Sequence, residues 1–154
     1  MKKIFFVLLL VVSTIGATNA QVKGQALGIR FGGFDGYGAE VSYQHPLSSS
    51  NRLEFDLGAN RYGFGLNGVY QWVWDLSALS DGFNWYAGVG AGLGSYDYKS
   101  EGNAFGIGVL GQIGIEYNFN IPIQLSLDYR PGVYVVPSMH NTYDGICFSA
   151  RYKF

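Results

Sequence analysis

The sequence predicts an all-β chain, an eight-stranded, antiparallel, up-and-down transmembrane β-barrel. Three observations predict it. In the last strand, Ile146-Cys-Phe-Ser-Ala-Arg-Tyr-Lys-Phe154, apolar side chains (Ile146, Phe148, Ala150, Tyr152, Phe154) take every second position. Ser149, Arg151 and Lys153 lie between them, so the strand has one apolar and one polar face. In a membrane barrel the first faces lipid and the second lines the interior. Glycine makes up 23 of 154 residues and aromatics 17%. Helices do not tolerate that glycine density, and disordered chains lack that aromatic content. Third, the chain begins with a secretory signal.

The signal covers residues 1–20, and the barrel domain residues 21–154. Lys2 and Lys3 form a positive n-region, Ile4 to Val12 is an apolar run of nine, and Thr18-Asn19-Ala20 ends on a small residue. This pattern predicts cleavage before Gln21. Nine apolar residues are too few for a spanning helix, which needs roughly 20. No Cys follows the run, which argues against a lipoprotein anchor.

The ten basic residues less Lys2 and Lys3 leave eight against eleven acidic, a mature net charge of −3. That balance provides no basic patch for nucleic acid. The single cysteine, Cys147, has no internal disulfide partner and reads as a packing residue. No later stretch is long enough for a membrane helix. Entry into a bilayer therefore requires closed strands, because lipid leaves no backbone group unpaired.

Turn signals divide the mature chain into eight strands. The first spans about Gly24 to Phe34 and turns at Asp35-Gly36, a hairpin dipeptide. The second spans Tyr37 to His45, followed by Pro46 to Asn51. The third runs from Arg52 to Asn60 and turns near Arg61-Tyr62. The fourth spans Gly63 to Leu76, then Ser77 to Gly82 turn. The fifth spans Phe83 to Tyr96, with a loop over Asp97 to Asn103. The sixth spans Ala104 to Asn118 and turns over Phe119 to Pro122. The seventh spans Ile123 to Val135, and a loop from Val136 to Asp144 leads into the eighth.

Placing the bulkier apolar set of each strand outward gives Leu27, Ile29 and Phe31; Val41 and Tyr43; Leu53, Phe55 and Leu57; Leu66, Tyr70, Trp72 and Trp74; Trp85, Val89 and Leu93; Ile107, Val109, Ile113 and Ile115; and Ile123, Leu125, Leu127 and Tyr129. None of these faces carries a charge. The opposite faces hold Arg30, Glu40, Arg52, Glu54, Asp56, Asp75, Glu116, Asp128, Arg130, Arg151 and Lys153. The other mature charges fall at the N-terminal edge or in turns and loops. Arg or Lys facing mid-bilayer costs roughly 2–4 kcal/mol, which gives a physical reason for this separation. A soluble ligand-binding barrel is the all-β alternative, and it needs the reverse arrangement.

Aromatics form two sets near strand ends. Tyr43, Trp72, Trp74, Trp85, Tyr117, Tyr152 and Phe154 belong to one rim. Phe31, Phe34, Tyr37, Tyr62, Phe64, Tyr96, Tyr98, Phe105, Tyr134 and Tyr143 belong to the other. Such girdles suit a membrane's two interfaces.

The terminal Phe154 and its alternating strand, with Gly114-Ile-Glu-Tyr117 and Leu125-Ser-Leu-Asp-Tyr-Arg-Pro131, resemble the small eight-stranded outer-membrane β-barrel proteins of Gram-negative bacteria. The resemblance covers residues 21–154 and the signal. It implies that Phe148, Tyr152 and Phe154 form the signal read by the barrel-assembly machinery. Ser149 stands where that signal usually has glycine. The partners implied are outer-membrane lipid and lipopolysaccharide. Neither an extracellular partner nor an activity follows, because shape holds the family together.

Gly88-Val-Gly-Ala-Gly-Leu-Gly94 repeats glycine at period two with no helix after it, so it is not a nucleotide loop. It reads as a lumen-facing stripe that leaves room for large side chains opposite. Eight strands leave an interior that side chains just fill. Buried charge must be paired. The expectation is a plugged lumen in which Glu40, Glu54, Asp56, Glu116 and Asp128 pair with Arg30, Arg52, Arg130 and Arg151. A narrow pore is the alternative. Ser138 and His140, within Ser138-Met-His-Asn-Thr-Tyr-Asp144, raise a third reading. Lipid A deacylase barrels of similar size use the order His-x-Ser-Asn, whereas this segment runs Ser-x-His-Asn. The expected role is therefore non-enzymatic: envelope integrity or surface interaction. No cofactor and no metal cluster are expected, since the two histidines, His45 and His140, are far apart in sequence and Cys147 is alone.

Overall fold

A computed structural model describes residues 22, 24–32, 38–60, 63–98, 102–134 and 140–154. The predicted signal peptide, the Asp35-Gly36 and Arg61-Tyr62 turns, and Phe34, Tyr37 and Val135 lie outside the described residues, as does Ser138.

Eight strands follow one another in the chain: β1 (Ala26–Gly32), β2 (Ala39–Pro46), β3 (Asn51–Asn60), β4 (Gly63–Asp75), β5 (Phe83–Tyr98), β6 (Gly102–Asn118), β7 (Ile123–Tyr134) and β8 (His140–Lys153). Each pairs antiparallel with the next, and β1 pairs with β8, so the sheet closes into an up-and-down barrel. Closure gives every strand two hydrogen-bonding neighbours and removes the edges. At the seam Leu27 faces Tyr152, Arg30 faces Ser149, and Phe31 faces Phe148.

Several boundaries differ from the sequence reading. β1 starts at Ala26 because Gly24 adopts φ +77°, which turns the chain away from the ladder. Gln25 and Phe154 nonetheless exchange backbone hydrogen bonds of 3.0 and 2.9 Å, joining the approach to β1 to the end of β8. β2 starts after Gly38, at φ +73°. The loops expected over Asp97–Asn103 and Val136–Asp144 are shorter than that. Asp97 pairs with Asn103 and Tyr98 with Gly102, while His140 to Tyr143 pair with Tyr134 to Pro131. These segments are polar and lack alternation, yet each has a neighbouring backbone to bond. The β7–β8 register shifts between Tyr129 and Pro131, where Asp144 and Gly145 stand opposite Arg130 alone. That is a β-bulge, which bends the strand locally.

The distribution of polarity is inside-out. Among the described residues, seventeen buried side chains are polar or charged and seven are hydrophobic. Large hydrophobics lie exposed on the outer wall, from Leu27, Ile29 and Phe31 on β1 to Ile146, Phe148 and Tyr152 on β8. The few apolar residues inside are packed over glycine. The Tyr134 ring lies on Gly108 and its hydroxyl over Gly92, where a Cβ would come within 2.9 and 2.6 Å. Tyr86 lies over Gly114, where a Cβ would sit 2.6 Å from the ring. Tyr134 thus points into the lumen and does not belong to a rim girdle, as its sequence position had suggested.

Aromatic rings do gather at the end where β1 starts and β8 finishes. Trp74 and Trp85, a cross-strand pair, stack at 4.2 Å, and Tyr70 meets Trp72 edge-on at 4.9 Å. Phe83, Tyr117 and Phe119 form a chain of contacts at 5.0 and 4.7 Å.

Candidate functional site: the charged lumen

The inner face carries its charges because alternation holds along the strand segments that bear them. Residues 52, 54 and 56 of β3 point inward, as do 126, 128 and 130 of β7, and their odd or even partners point outward. The nine charged residues expected inside are Arg30, Glu40, Arg52, Glu54, Asp56, Glu116, Asp128, Arg130 and Arg151. All nine are buried, none more than 4% exposed. They form two clusters stacked along the barrel.

The first cluster lies toward the end of the β1–β2 and β3–β4 hairpins. Arg30 donates from Nη1 to Glu40 Oε2 and from Nη2 to Asp128 Oδ1, both at 2.7 Å. Arg130 donates from Nη2 to both Glu40 oxygens at 2.8 Å and from Nη1 to Asp56 Oδ2 at 2.6 Å. Asn67 adds an amide bond to Glu40 at 3.2 Å, and the Tyr134 hydroxyl donates to Asn67 at 3.4 Å. Asp56 Oδ1 is buried and has no partner among the described residues.

The second cluster lies toward the end where β1 starts and β8 finishes. Arg151 spans three strands, donating to Glu54 Oε2 at 2.9 Å, Ser42 Oγ at 2.9 Å and Ser126 Oγ at 2.8 Å. Gln44 and Gln112 also donate to Glu54, at 2.6 and 3.0 Å. Gln71 relays between Gln112 and Arg52, donating to one at 2.8 Å and accepting from the other at 2.6 Å. Arg52 ends the series in an ion pair with Glu116 at 2.6 Å. Tyr86 links the clusters. Its ring lies 4.9 Å below the Arg52 guanidinium, and its hydroxyl donates to Asp128 at 3.3 Å.

Each buried carboxylate thus meets a guanidinium, and the network runs through most of the lumen. It stabilises little against an apolar core, but losing one partner strands a charge. Neutral amides matter as much as the charges. Gln44, Asn67, Gln71, Gln112 and Gln124 share the inward parity of the charged residues, and that parity was the signal available to find them.

The other inward charges sit at strand ends. Lys153 is half-buried and donates to Asn118 Oδ1 at 3.1 Å. Asp75 accepts from the Ser77 N–H and hydroxyl at 2.7 and 2.9 Å, closing a turn. Cys147 is buried on the inner face of β8, with its thiol 3.5 Å from the Gly145 carbonyl. Phe148 and Tyr152 stand exposed on the outer face of β8, and Phe154 follows it at the rim. His140 opens β8, paired with Tyr134, and Ser138 lies outside the described residues.

No protein-family model, curated protein or solved structure matches the chain.

Proposed function

We propose that the chain is a non-enzymatic outer-membrane β-barrel with a lumen plugged by its own side chains. It is exported by a cleaved signal over residues 1–20 and delivered to the membrane by the barrel-assembly machinery through Phe148, Tyr152 and Phe154. It resembles the small eight-stranded outer-membrane barrels of Gram-negative bacteria in these respects. The observation that carries the reading is the inversion of polarity. A closed barrel with ion pairs inside and Leu27, Ile29, Val89, Val109, Ile113 and Leu127 outside suits lipid as its solvent. In water the same belt would be an aggregation site.

The network supports a plug over a pore. Guanidinium and amide groups cross the interior from β3 to β6, β7 and β8. At the end expected to face outward, the longest connection is six residues, 33–38. Such short connections favour a structural role in the envelope, or a small surface contact with lipopolysaccharide, over reception of a large ligand.

Heat-modifiability tests this reading. The mature protein in isolated outer membranes is expected to migrate faster unboiled than boiled. A protein found in the soluble fraction with no shift would overturn it.

A further inference from the structure

On the outer wall, where β5, β6 and β7 run side by side, lies an open groove of about 710 Å³, floored by Gly111 and flanked by Val89, Val109, Pro131 and Val133. Val89 and Val109 are exposed, so the groove opens outward. A Cβ at Gly111 would touch only the Pro131 ring, at 3.9 Å, whereas at Gly90 or Gly92 it would collide with neighbouring atoms. The protein leaves the space over Gly111 unfilled.

One backbone group in this groove lacks its ladder partner. Pro131 has no N–H, yet it stands paired with Tyr143 of β8. That pair must be of the kind that exchanges no hydrogen bonds, and the two kinds alternate along a strand. Pro131 therefore turns its backbone toward β6. Leu110 pairs with Gly132 and Ile113 with Tyr129 in one register, which puts Gly111 opposite Pro131. The Gly111 carbonyl meets the proline ring where an N–H would stand. Within this run, pairing accordingly lapses at Gly111 and Gln112. Gly111 is partly exposed, between the buried Leu110 and Gln112. No side chain lining the groove carries nitrogen or oxygen, so the polar part of its wall is backbone.

Gly111 also stands midway along the outer face of β6, between Phe105 and Tyr117. In a membrane that is the centre of the hydrocarbon, about 15 Å from either interface. No water reaches an unpaired carbonyl there, and leaving it unpaired is costly.

We propose that the groove takes an acyl chain bearing a hydroxyl group near its middle. The hydroxyl donates to the Gly111 carbonyl oxygen, and the chain packs on Val89, Val109, Pro131 and Val133. A plain chain fills the same space but brings no donor, and a hydroxyl beside the head group lies too shallow. The proposal rests on the outer-membrane reading.

The test uses the barrel refolded in phosphatidylcholine bicelles, where faster migration of the unboiled sample first establishes insertion. A chain without that shift overturns the membrane reading and this proposal together. An inserted barrel that fails the following comparison overturns this proposal alone. 12-Hydroxystearate, 2-hydroxystearate and stearate are titrated in turn. NMR reads the Gly111 carbonyl through the Gln112 amide, and the Val109 and Val133 methyl groups report filling of the groove. 12-Hydroxystearate is expected to shift the carbonyl downfield and to fill the groove at roughly one-tenth the concentration the other two need, the worth of one hydrogen bond. Pro131→Ala supplies the missing N–H, and in a variant that keeps the heat shift this preference is expected to vanish. Equal filling by all three compounds overturns the proposal, as does a preference that survives Pro131→Ala. A carbonyl shift that grows with the protein-to-lipid ratio before any fatty acid is added also overturns it, by placing a second copy over the groove.

Discussion

Arg130 and Asp56 stand on β7 and β3, four strands apart in either direction around the barrel, and their side chains meet at 2.6 Å. The contact spans the lumen. Arg130 also holds Glu40 at 2.8 Å, whereas Asp56 has no other cation within ion-pair distance among the described residues. Glu40 keeps Arg30 if Arg130 is lost, but Asp56 keeps no ion-pair partner among the described residues.

Arg130→Met is therefore expected to destabilise the barrel by about 3–5 kcal/mol, the usual penalty for stranding a buried charge. Adding Asp56→Leu removes the stranded carboxylate and should recover a large part of the loss. Urea unfolding midpoints of the two variants check this, and a double variant no more stable than Arg130→Met would contradict the pairing.

Val109, at 65% exposure on the outer face of β6, offers a way to separate lipid from water as the solvent outside. In a bilayer, Val109→Arg is expected to cost roughly 2–4 kcal/mol near the midplane. On a soluble barrel an exposed arginine would cost little. Reversible urea unfolding from lipid vesicles gives the number, and a change below about 0.5 kcal/mol would favour the soluble alternative.

Tyr134 rests on Gly92 and Gly108, and a methyl group at Gly92 would meet its hydroxyl and Asn67 Oδ1. Gly92→Ala is expected to destabilise by about 1–3 kcal/mol through overpacking. Combining it with Tyr134→Ala should cost less than the two changes added separately. Strict additivity would show that ring and stripe do not touch.

The crossing side chains predict an electrically silent protein. Purified barrel in planar bilayers is expected to show no steady conductance, because guanidinium and amide groups occupy the lumen section between Glu54 and Asp128. Large, steady single-barrel currents would replace the plug with a pore.

Cys147 is buried to 0% exposure. Its thiol should stay unreacted with a membrane-permeant maleimide in the folded barrel and become fully labelled in denaturant. Mass spectrometry of the two states reads the difference directly, and rapid labelling of the folded state would mean that the lumen is open to solutes beside β8.

Much of this arrangement was legible in the sequence because a strand has a period of two. Once Arg52, Glu54 and Asp56 alternate with Leu53, Phe55 and Leu57, the face of every residue in that strand follows. The same periodicity assigned Arg30, Arg130 and Arg151 to the inside, and charge balance required that they meet acids. Strand number followed from the turn residues.

Partner choice had to come from the closed sheet. Arg130 and Asp56 are 74 residues apart, and Arg151 and Glu54 are 97 apart. Only the registers around the ring bring each pair to one level. Strand ends in polar segments were likewise hidden. His140 to Tyr143 carry no alternation, yet β7 offers them a backbone to bond. Tyr134 shares the inward parity of Asp128 and Arg130, which a reading of aromatics as rim residues passed over, and only the closed sheet supplies the space over Gly92 and Gly108 that receives its ring. Alternation is a local property of covalent geometry and can be read along the chain. Pairing across a lumen depends on closure and shear, which exist only once β1 has met β8.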